Sequence, residues 1–312
     1  MIVTVTLNPA IDNSLTVPGF EVGKTNRGEV TRTDAGGKGV NVAKAVKRFG
    51  LPVCALGLVA GRNGRFILEA LSAAGIPADF ITVPGETRVN LKIHDPVKGT
   101  ETELNEPGFS VPPARLAEMR RKIEAYAPRC EVMVFSGSLP LDAPPETFGD
   151  LITIAKKCGA KCILDTAGAA LRHGLAAGPF LIKPNRAEVE GLLQKPLRNS
   201  QELADAARTL ISMGTQQVVI SLGAEGALGA TREEVLIARP PVVKVQSSIG
   251  AGDTMVAVLA FALVEGLPFR QAFRLAVAAS AATVAMEGSK VADFAAAQDL
   301  LPQVKVEDAV AV

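Results

Sequence analysis

The chain has no tryptophan, one tyrosine and two histidines among its 312 residues. Aromatic faces are too few for a platform that stacks the bases of single-stranded nucleic acid. His94 and His173 supply Ser–His or histidine–metal chemistry poorly, and His94 suits a structural or solvated place on a half-exposed strand. Cysteine is scarce too. Of Cys54, Cys130, Cys158 and Cys162 only the last two are close in sequence, with no second pair at zinc-like spacing. Buried, reduced thiols of a cytoplasmic protein are expected. Charge of one sign is also missing. The formal net charge is +1, so no global field draws in nucleic acid or an acidic membrane surface. No stretch reaches about 18 consecutive apolar residues, so no transmembrane helix is expected. The opening "MIVTVTLNPAID" has no basic segment ahead of a long apolar run, and no signal peptide is read there.

What is present is ordinary globular composition, 48% hydrophobic and 21% charged, enough for one large domain or two smaller ones. Apolar runs at 2–7, 53–59, 132–137, 162–166, 180–184 and 218–223 are continuous rather than alternating, as in strands buried on both faces. Between them lie helix candidates at 39–50, 65–75, 113–127, 147–159 and 200–214, several ending in glycine. This alternation predicts an α/β fold: a doubly wound, mostly parallel sheet with helices on both faces. Residues 12–37 and 86–108 break the pattern with near alternation of polar and apolar residues, read as half-exposed antiparallel strands. The expected organisation is a body of 1–11, 38–85 and 109–312, with 12–37 and 86–108 inserted as a small β-sheet lid or dimer surface. Residues 226–248 predict an antiparallel extension of the main sheet.

Four short motifs carry candidate chemistry. In "SSIGAGDTMVAVLAFALVEG" (247–266), Asp253 stands between a glycine turn and an apolar helix expected to begin near Asp253 or Thr254. Gly250, Ala251 and Gly252 offer free N–H groups at a positive helix end, an anion site. Asp253 is then either a helix cap or a base for an alcohol aimed at a phosphoryl group. "AGGKGVNVAKAV" (35–46) is not a Walker A loop, because Lys38 is followed by glycine. Gly36 and Gly37 let backbone approach a hydroxylated ligand beside Lys38 and Asn41, or simply turn the chain. "LIKPNRAEVEGL" (181–192) places Asn185 and Glu188 on one face of a helix start after Lys183. Their oxygens suit Mg²⁺ through its waters, and a capping box has nearly the same pattern. "SLGAEGAL" (221–228) is a hairpin pattern. Together they place several polar or glycine-rich features at the C-terminal ends of predicted parallel strands, where α/β proteins bind ligands. Phosphoryl transfer needs positioning, a base and charge neutralisation, and this inventory supplies them.

As a set, "TLNPAID", "GKTNR", "AGGKGVNVAKA", "TRVNLKI", "TELNEPG", "FSGSLP", "IKPNRAEVE", "SLGAEGAL" and "SSIGAGDTMVAV" resemble the ribokinase-like, or PfkB, family of carbohydrate kinases over essentially the whole chain. The resemblance implies a ribokinase-like fold and ATP with Mg²⁺ as cofactors. It implies Asp253 as catalytic base and Gly250, Ala251 and Gly252 as the anion hole for the γ-phosphoryl. Asp12, Gly37 and Asn41 would bind sugar hydroxyls. Lys183, Asn185 and Glu188 would serve ATP and Mg²⁺, the last two holding the ion through water. Ser221, Gly223 and Gly226 would form the nucleotide loop. Lys24, Arg27, Lys38, Arg88 and Ser138 are the candidates for a substrate phosphate, which needs cations where a neutral sugar does not.

"TLNPAID", the lysine of "GGKG" and "TELNEPG" look most like the branch that phosphorylates sugar phosphates. Glu103 and Asn105 stand about where a fructose-6-phosphate kinase of the family has an arginine, and an acid there disfavours a 6-phosphate. The implied reaction is fructose 1-phosphate plus ATP to fructose 1,6-bisphosphate and ADP. Tagatose 6-phosphate and fructose 6-phosphate are the alternative acceptors, and a non-catalytic sugar-phosphate sensor has no use for Asp253. A dinucleotide site is disfavoured, because "NPAID" rather than G-x-G-x-x-G follows the first strand. Exposed lid edges predict a homodimer through the lid.

Overall fold

β-Branched residues in unbroken runs need apolar cover on both faces, and the chain folds to provide it. The computed structural model describes residues 1–286 and 291–309. From β1 (Ile2–Thr6) the chain leaves through β2 (Ala10–Thr16) and β3 (Glu29–Gly36), then returns as α1 (Lys38–Arg48), β4 (Val53–Val59), α2 (Gly61–Ala73) and β5 (Ala78–Thr82). A second excursion forms β6 (Arg88–Asp95) and β7 (Thr100–Asn105). There follow α3 (Pro113–Tyr126), β8 (Val132–Ser136), α4 (Thr147–Lys157), β9 (Lys161–Asp165), α5 (Gly168–Ala176) and β10 (Leu181–Ile182). Next come α6 (Arg186–Leu193), α7 (Ser200–Ser212), β11 (Gln217–Ser221), β12 (Ala227–Ala230) and β13 (Val235–Arg239). The described chain ends with α8 (Ala251–Glu265), α9 (Phe269–Val284), α10 (Phe294–Leu300) and β14 (Lys305–Asp308). Residues 287–290 and 310–312, within the expected body segment 109–312, lie outside the described residues.

The large sheet has the order β14-β13-β12-β11-β10-β9-β8-β1-β4-β5. From β11 to β5 all neighbours are parallel; β12 and β13 form the antiparallel extension expected within 226–248, and β14, which was not expected, adds a further antiparallel strand at the edge. Alternate residues feed two cores. Val3, Val5, Met133 and Phe135 pack with Met119, Ile123, Phe148 and Leu210 on one face. Ile2, Val132 and Val134 pack with Val40, Val46, Val256 and Phe273 on the other. Helix α8 packs against α1 and α9 and buries Val256, Val258 and Leu259 almost completely. Each such side chain contributes about 2 kcal/mol of transfer free energy, which holds the helix in fixed register.

The small sheet has the order β3-β2-β6-β7. One expectation is corrected here: its central pair, β2 and β6, is parallel rather than antiparallel, with Asp12 opposite Asn90. The reason is topological. β1 and β5 are strands of one parallel run, so the excursions that follow them leave by the same end of the sheet. Among the described residues, no helix is long and apolar enough to cross a membrane.

Candidate active site

Helix α8 begins at Ala251, two or three residues before the expected start near Asp253 or Thr254, with Gly250 as its N-cap in the left-handed region at φ +79°. Gly250 makes this turn without the penalty a side chain would carry. Asp253 therefore lies inside the first turn and is not the N-cap. Its carboxylate is 7% exposed and accepts from Asn41 Nδ2 at 2.9 Å. Burial pushes its pKa up to about 6, and Asp165 adds to the rise. Lys38, the Asn41 hydrogen bond and Lys183 pull the other way. A Cβ on Gly252 would stand 3.5 Å from Lys183 Nζ, so the helix start and that ammonium face one space.

A carboxylate not singled out in the sequence lies between the two lysines. Asp165 ends β9 at 1% exposure and receives Lys38 Nζ at 3.0 Å and Lys183 Nζ at 3.5 Å on Oδ1. Among the described residues its buried Oδ2 has no hydrogen-bond partner. Burial alone would lower the pKa of Lys38, but Asp165, Asp253 and Glu188 outweigh it and hold the ammonium well above the ordinary lysine value. Asp253, Asn41, Lys38, Asp165, Lys183 and Glu188 thus form one electrostatic group. The signal for Asp165 in the sequence was a single acid closing a buried strand.

On one side of this group lie the residues expected for a nucleotide. Asn185 and Glu188 make a reciprocal capping box, Asn185 Oδ1 accepting from Glu188 N and Glu188 Oε2 from Asn185 N, both at 2.8 Å. The cap is thus realised, and it commits the Asn185 oxygen to the helix. Ser221 ends β11 and bridges to Asn185. Gly223 opens a short 3₁₀ turn, and Gly226 at φ +101° lies so close to β13 that a Cβ would meet the Ala238 carbonyl oxygen at 2.0 Å.

On the other side, Asp12 is buried in β2 and accepts from Asn90 Nδ2 at 2.9 Å and Lys92 Nζ at 3.0 Å. Gly36 and Gly37 allow close packing: a Cβ would stand 2.6 Å from Asp12 Oδ2 and 2.9 Å from Pro9 Cα, respectively. Arg88 at the lid base donates to the Glu106 carbonyl. Ser138 accepts from Asn8 Nδ2, which also holds the carbonyls of Pro107 and Leu139 and so ties the lid to the body. Asn8, Asn90 and Lys92 were not singled out in the sequence. Lys24 and Arg27 are exposed in the loop between β2 and β3, and the described chain does not gather them with Asp12 or Asp253.

Among the described residues no cluster of three or more His, Cys, Asp or Glu side chains is arranged to hold a metal by itself. Asp165 Oδ2, buried and without a hydrogen-bond partner among the described residues, and the carboxylate of Glu188 are hard oxygen donors that fit a hydrated Mg²⁺.

The model of pfkB family carbohydrate kinases matches residues 4–293. A 1-phosphofructokinase of Rhodobacter capsulatus is 39% identical over 280 residues, covering 89% of each chain. A 1-phosphofructokinase of Bacillus subtilis is 34% identical over 306 residues, covering 98% of this chain and 99% of that one. Phosphofructokinase-2 of Escherichia coli, solved in complex with potassium, superposes with a TM-score of 0.90 at 30% identity, over 97% of this chain and 98% of that chain. The two sheets are thus those of the ribokinase-like fold. With a family match over nearly all of its length, the chain belongs to the pfkB family of carbohydrate kinases, which transfer a phosphoryl group to a hydroxyl acceptor.

Proposed function

We propose that this kinase uses ATP to phosphorylate the C6 hydroxyl of fructose 1-phosphate. The observation that carries the reading is Asp253: a buried carboxylate with a pKa near 6, set at a glycine-lined helix start between Lys38 and Lys183. An ionised base with a pKa near working pH suits proton transfer from an alcohol. Asn41 holds Oδ2, which leaves Oδ1 for the acceptor hydroxyl. As the hydroxyl oxygen attacks the γ-phosphorus, its proton passes to Asp253 and the bond to the ADP oxygen breaks. The amides of Gly250, Ala251 and Gly252, together with Lys183, face the negative charge of the γ-phosphoryl. Asp165 and Glu188 would hold Mg²⁺, which would supply neutralisation of phosphate charge. Asn185 supports this by fixing Glu188 through the capping box. Ser221, Gly223 and Gly226 line the nucleotide side, and Asp12, Gly37 and Asn41 the sugar. Arg88, Ser138 and Lys38 receive the sugar phosphate, with Lys24 and Arg27 reaching it only when their loop moves or a partner lid supplies them.

The choice of sugar rests on the named relatives from R. capsulatus and B. subtilis and on Glu103, which stands beside Lys92 on the lid. Steady-state kcat/KM for fructose 1-phosphate, fructose 6-phosphate and tagatose 6-phosphate in one preparation tests it. Preference for either 6-phosphate overturns the assignment.

The lid spans 12–37 and 86–108 and joins two copies. Its outward face carries Leu15, Val30, Leu91 and Leu104 on adjoining positions, with Val30 56% and Leu104 53% exposed. An apolar sheet face of this kind is expected to be covered. Light scattering should give a dimer for the native chain and a monomer for V30E/L104K. A monomeric native chain would remove the lid dimer. A cytoplasmic location suits the four free cysteines, three of them buried.

A further inference from the structure

We propose that Lys92 is a positioning residue that makes the sugar-binding carboxylate of Asp12 compatible with a phosphorylated sugar. This rests on the reading above that Asp12 binds sugar hydroxyls. Lys92 lies on β6 two residues beyond Asn90 and on the same face, opposite Ser14 of β2, and its neighbour on β7 is Glu103. Its ammonium nevertheless reaches inward to Asp12 Oδ2 at 3.0 Å, with both side chains largely buried. Asn90 holds Oδ1 at 2.9 Å, and Gly36 closes the third side, where even a methyl group would collide with the carboxylate. Asp12 is thereby fixed in one orientation, and each oxygen keeps accepting capacity for a hydroxyl.

The chemical reason for a lysine lies in the charge of the substrate. A phosphate monoester brings about −1.5 to −2 charges near pH 7. A neutral sugar tolerates a bare carboxylate against its hydroxyls, whereas a sugar phosphate is repelled by one held a few ångströms from its ring in a partly dry site. The other nearby cations are engaged elsewhere: Lys44 donates to the Ala35 carbonyl and Arg88 to that of Glu106, although both feel the Asp12 charge. Among the described residues Lys92 is the cation hydrogen-bonded to Asp12, and the pair presents hydroxyl acceptors at no net charge. Asp165 is treated the same way by Lys38 and Lys183, so each carboxylate facing the phosphates has an ammonium of its own or, for Asp253, an amide and two lysines nearby.

The test is steady-state kinetics on the intact enzyme with K92M, K92R, D12N and the double variant D12N/K92M, using whichever sugar phosphate the wild type prefers. K92M should raise the KM for the sugar phosphate at least about tenfold, with kcat within about threefold and the KM for ATP unchanged. K92R, which keeps the charge, should stay within about threefold of wild type. The deciding result is the double variant. Removing the unpaired Asp12 charge should bring KM back below that of K92M. A lysine that merely props the lid, or that contacts the sugar directly, gives a double variant worse than K92M, and that outcome overturns the proposal. So does a K92M enzyme with wild-type KM. If K92M does not fold, K92Q against D12N/K92Q decides the same question. The sugar preference of the wild type, measured first, tests the substrate assignment separately, since a different preferred sugar phosphate leaves the role of Lys92 standing.

Discussion

Replacing Asp253 by asparagine should abolish most turnover and, at the same time, stabilise the fold at alkaline pH. Asp253 rises from its ordinary value of 3.8 to about 6 on folding, chiefly because it is buried and secondarily because of Asp165. That rise corresponds to about 3 kcal/mol borne by the ionised form in the native state. The sign follows from linkage. Below the unfolded value the carboxyl is protonated in both states and nothing is lost. As pH rises from about 4 through 6 the unfolded chain ionises first, stability falls, and the full cost is present at pH 8. Asparagine keeps nearly the same shape, can still accept from Asn41, and carries no charge at any pH. Allowing for imperfect contacts of its NH₂ group with Lys38 and Lys183, the expected gain is about 1–3 kcal/mol at pH 8. For a chain of this size that is a rise of about 2–4 °C in melting temperature. Differential scanning fluorimetry of wild type and D253N at pH 8 and pH 4.5 measures it, alongside kcat, which should drop by about 10²–10⁴. The reasoning is refuted if D253N melts below wild type at pH 8, or if the difference is the same at both pH values.

The same carboxylate should set the acid limb of the pH profile. Log kcat/KM should fall below about pH 6 and level off above it, with the limb moved to higher pH in K38M, because Lys38 opposes the rise. A limb that stays fixed or moves to lower pH in K38M would show that another group is titrating. Gly226→Ala forces a Cβ against the Ala238 carbonyl at a φ of +101°, a strain of about 1–3 kcal/mol. It should lower the melting temperature and raise the KM for ATP while sparing the KM for the sugar phosphate. Equal effects on both substrates would contradict a nucleotide-side role for that turn.

The large sheet was legible because its signal is local. A run such as "VMVFSG" states its own burial, and the strands expected at 2–7, 53–59, 132–137, 162–166 and 218–223 form β1, β4, β8, β9 and β11. The run at 180–184 shrinks to the two residues of β10, since Lys183 and Pro184 turn away to begin the site. Pairing direction in the lid is different. Nothing in residues 10–16 or 88–95 records that both segments depart from the same end of the body, so a pattern of alternation was read as antiparallel. The start of α8 was placed two or three residues late because Gly250 and Gly252, on either side of Ala251, have weak helix propensity, and it is the packing of the helix against α1 and α9 that holds it in place.

The site itself shows why some of its members could be named and others not. Asp253 has glycines around it that give a local reason to look. Asp165 has none: in "CILDT" it is one acid closing a strand, indistinguishable from a solubilising end residue. What makes it functional is a meeting with Lys38 across 127 positions of sequence and with Lys183, which directly follows the neighbouring strand β10. Asn41 reaches Asp253 across 212 positions in the same way. The parallel sheet produces these meetings, because every parallel strand ends at the same edge and hands its next residues to a common space. A buried acid is costly alone and tolerable only beside its cations. The meaning of Asp165, like that of Asp12 beside Lys92, is therefore a property of topology: it becomes readable once strand order sets the end of β10 and its Lys183 beside Asp165 of β9, and α1 brings Lys38 over the same carboxylate, and not before.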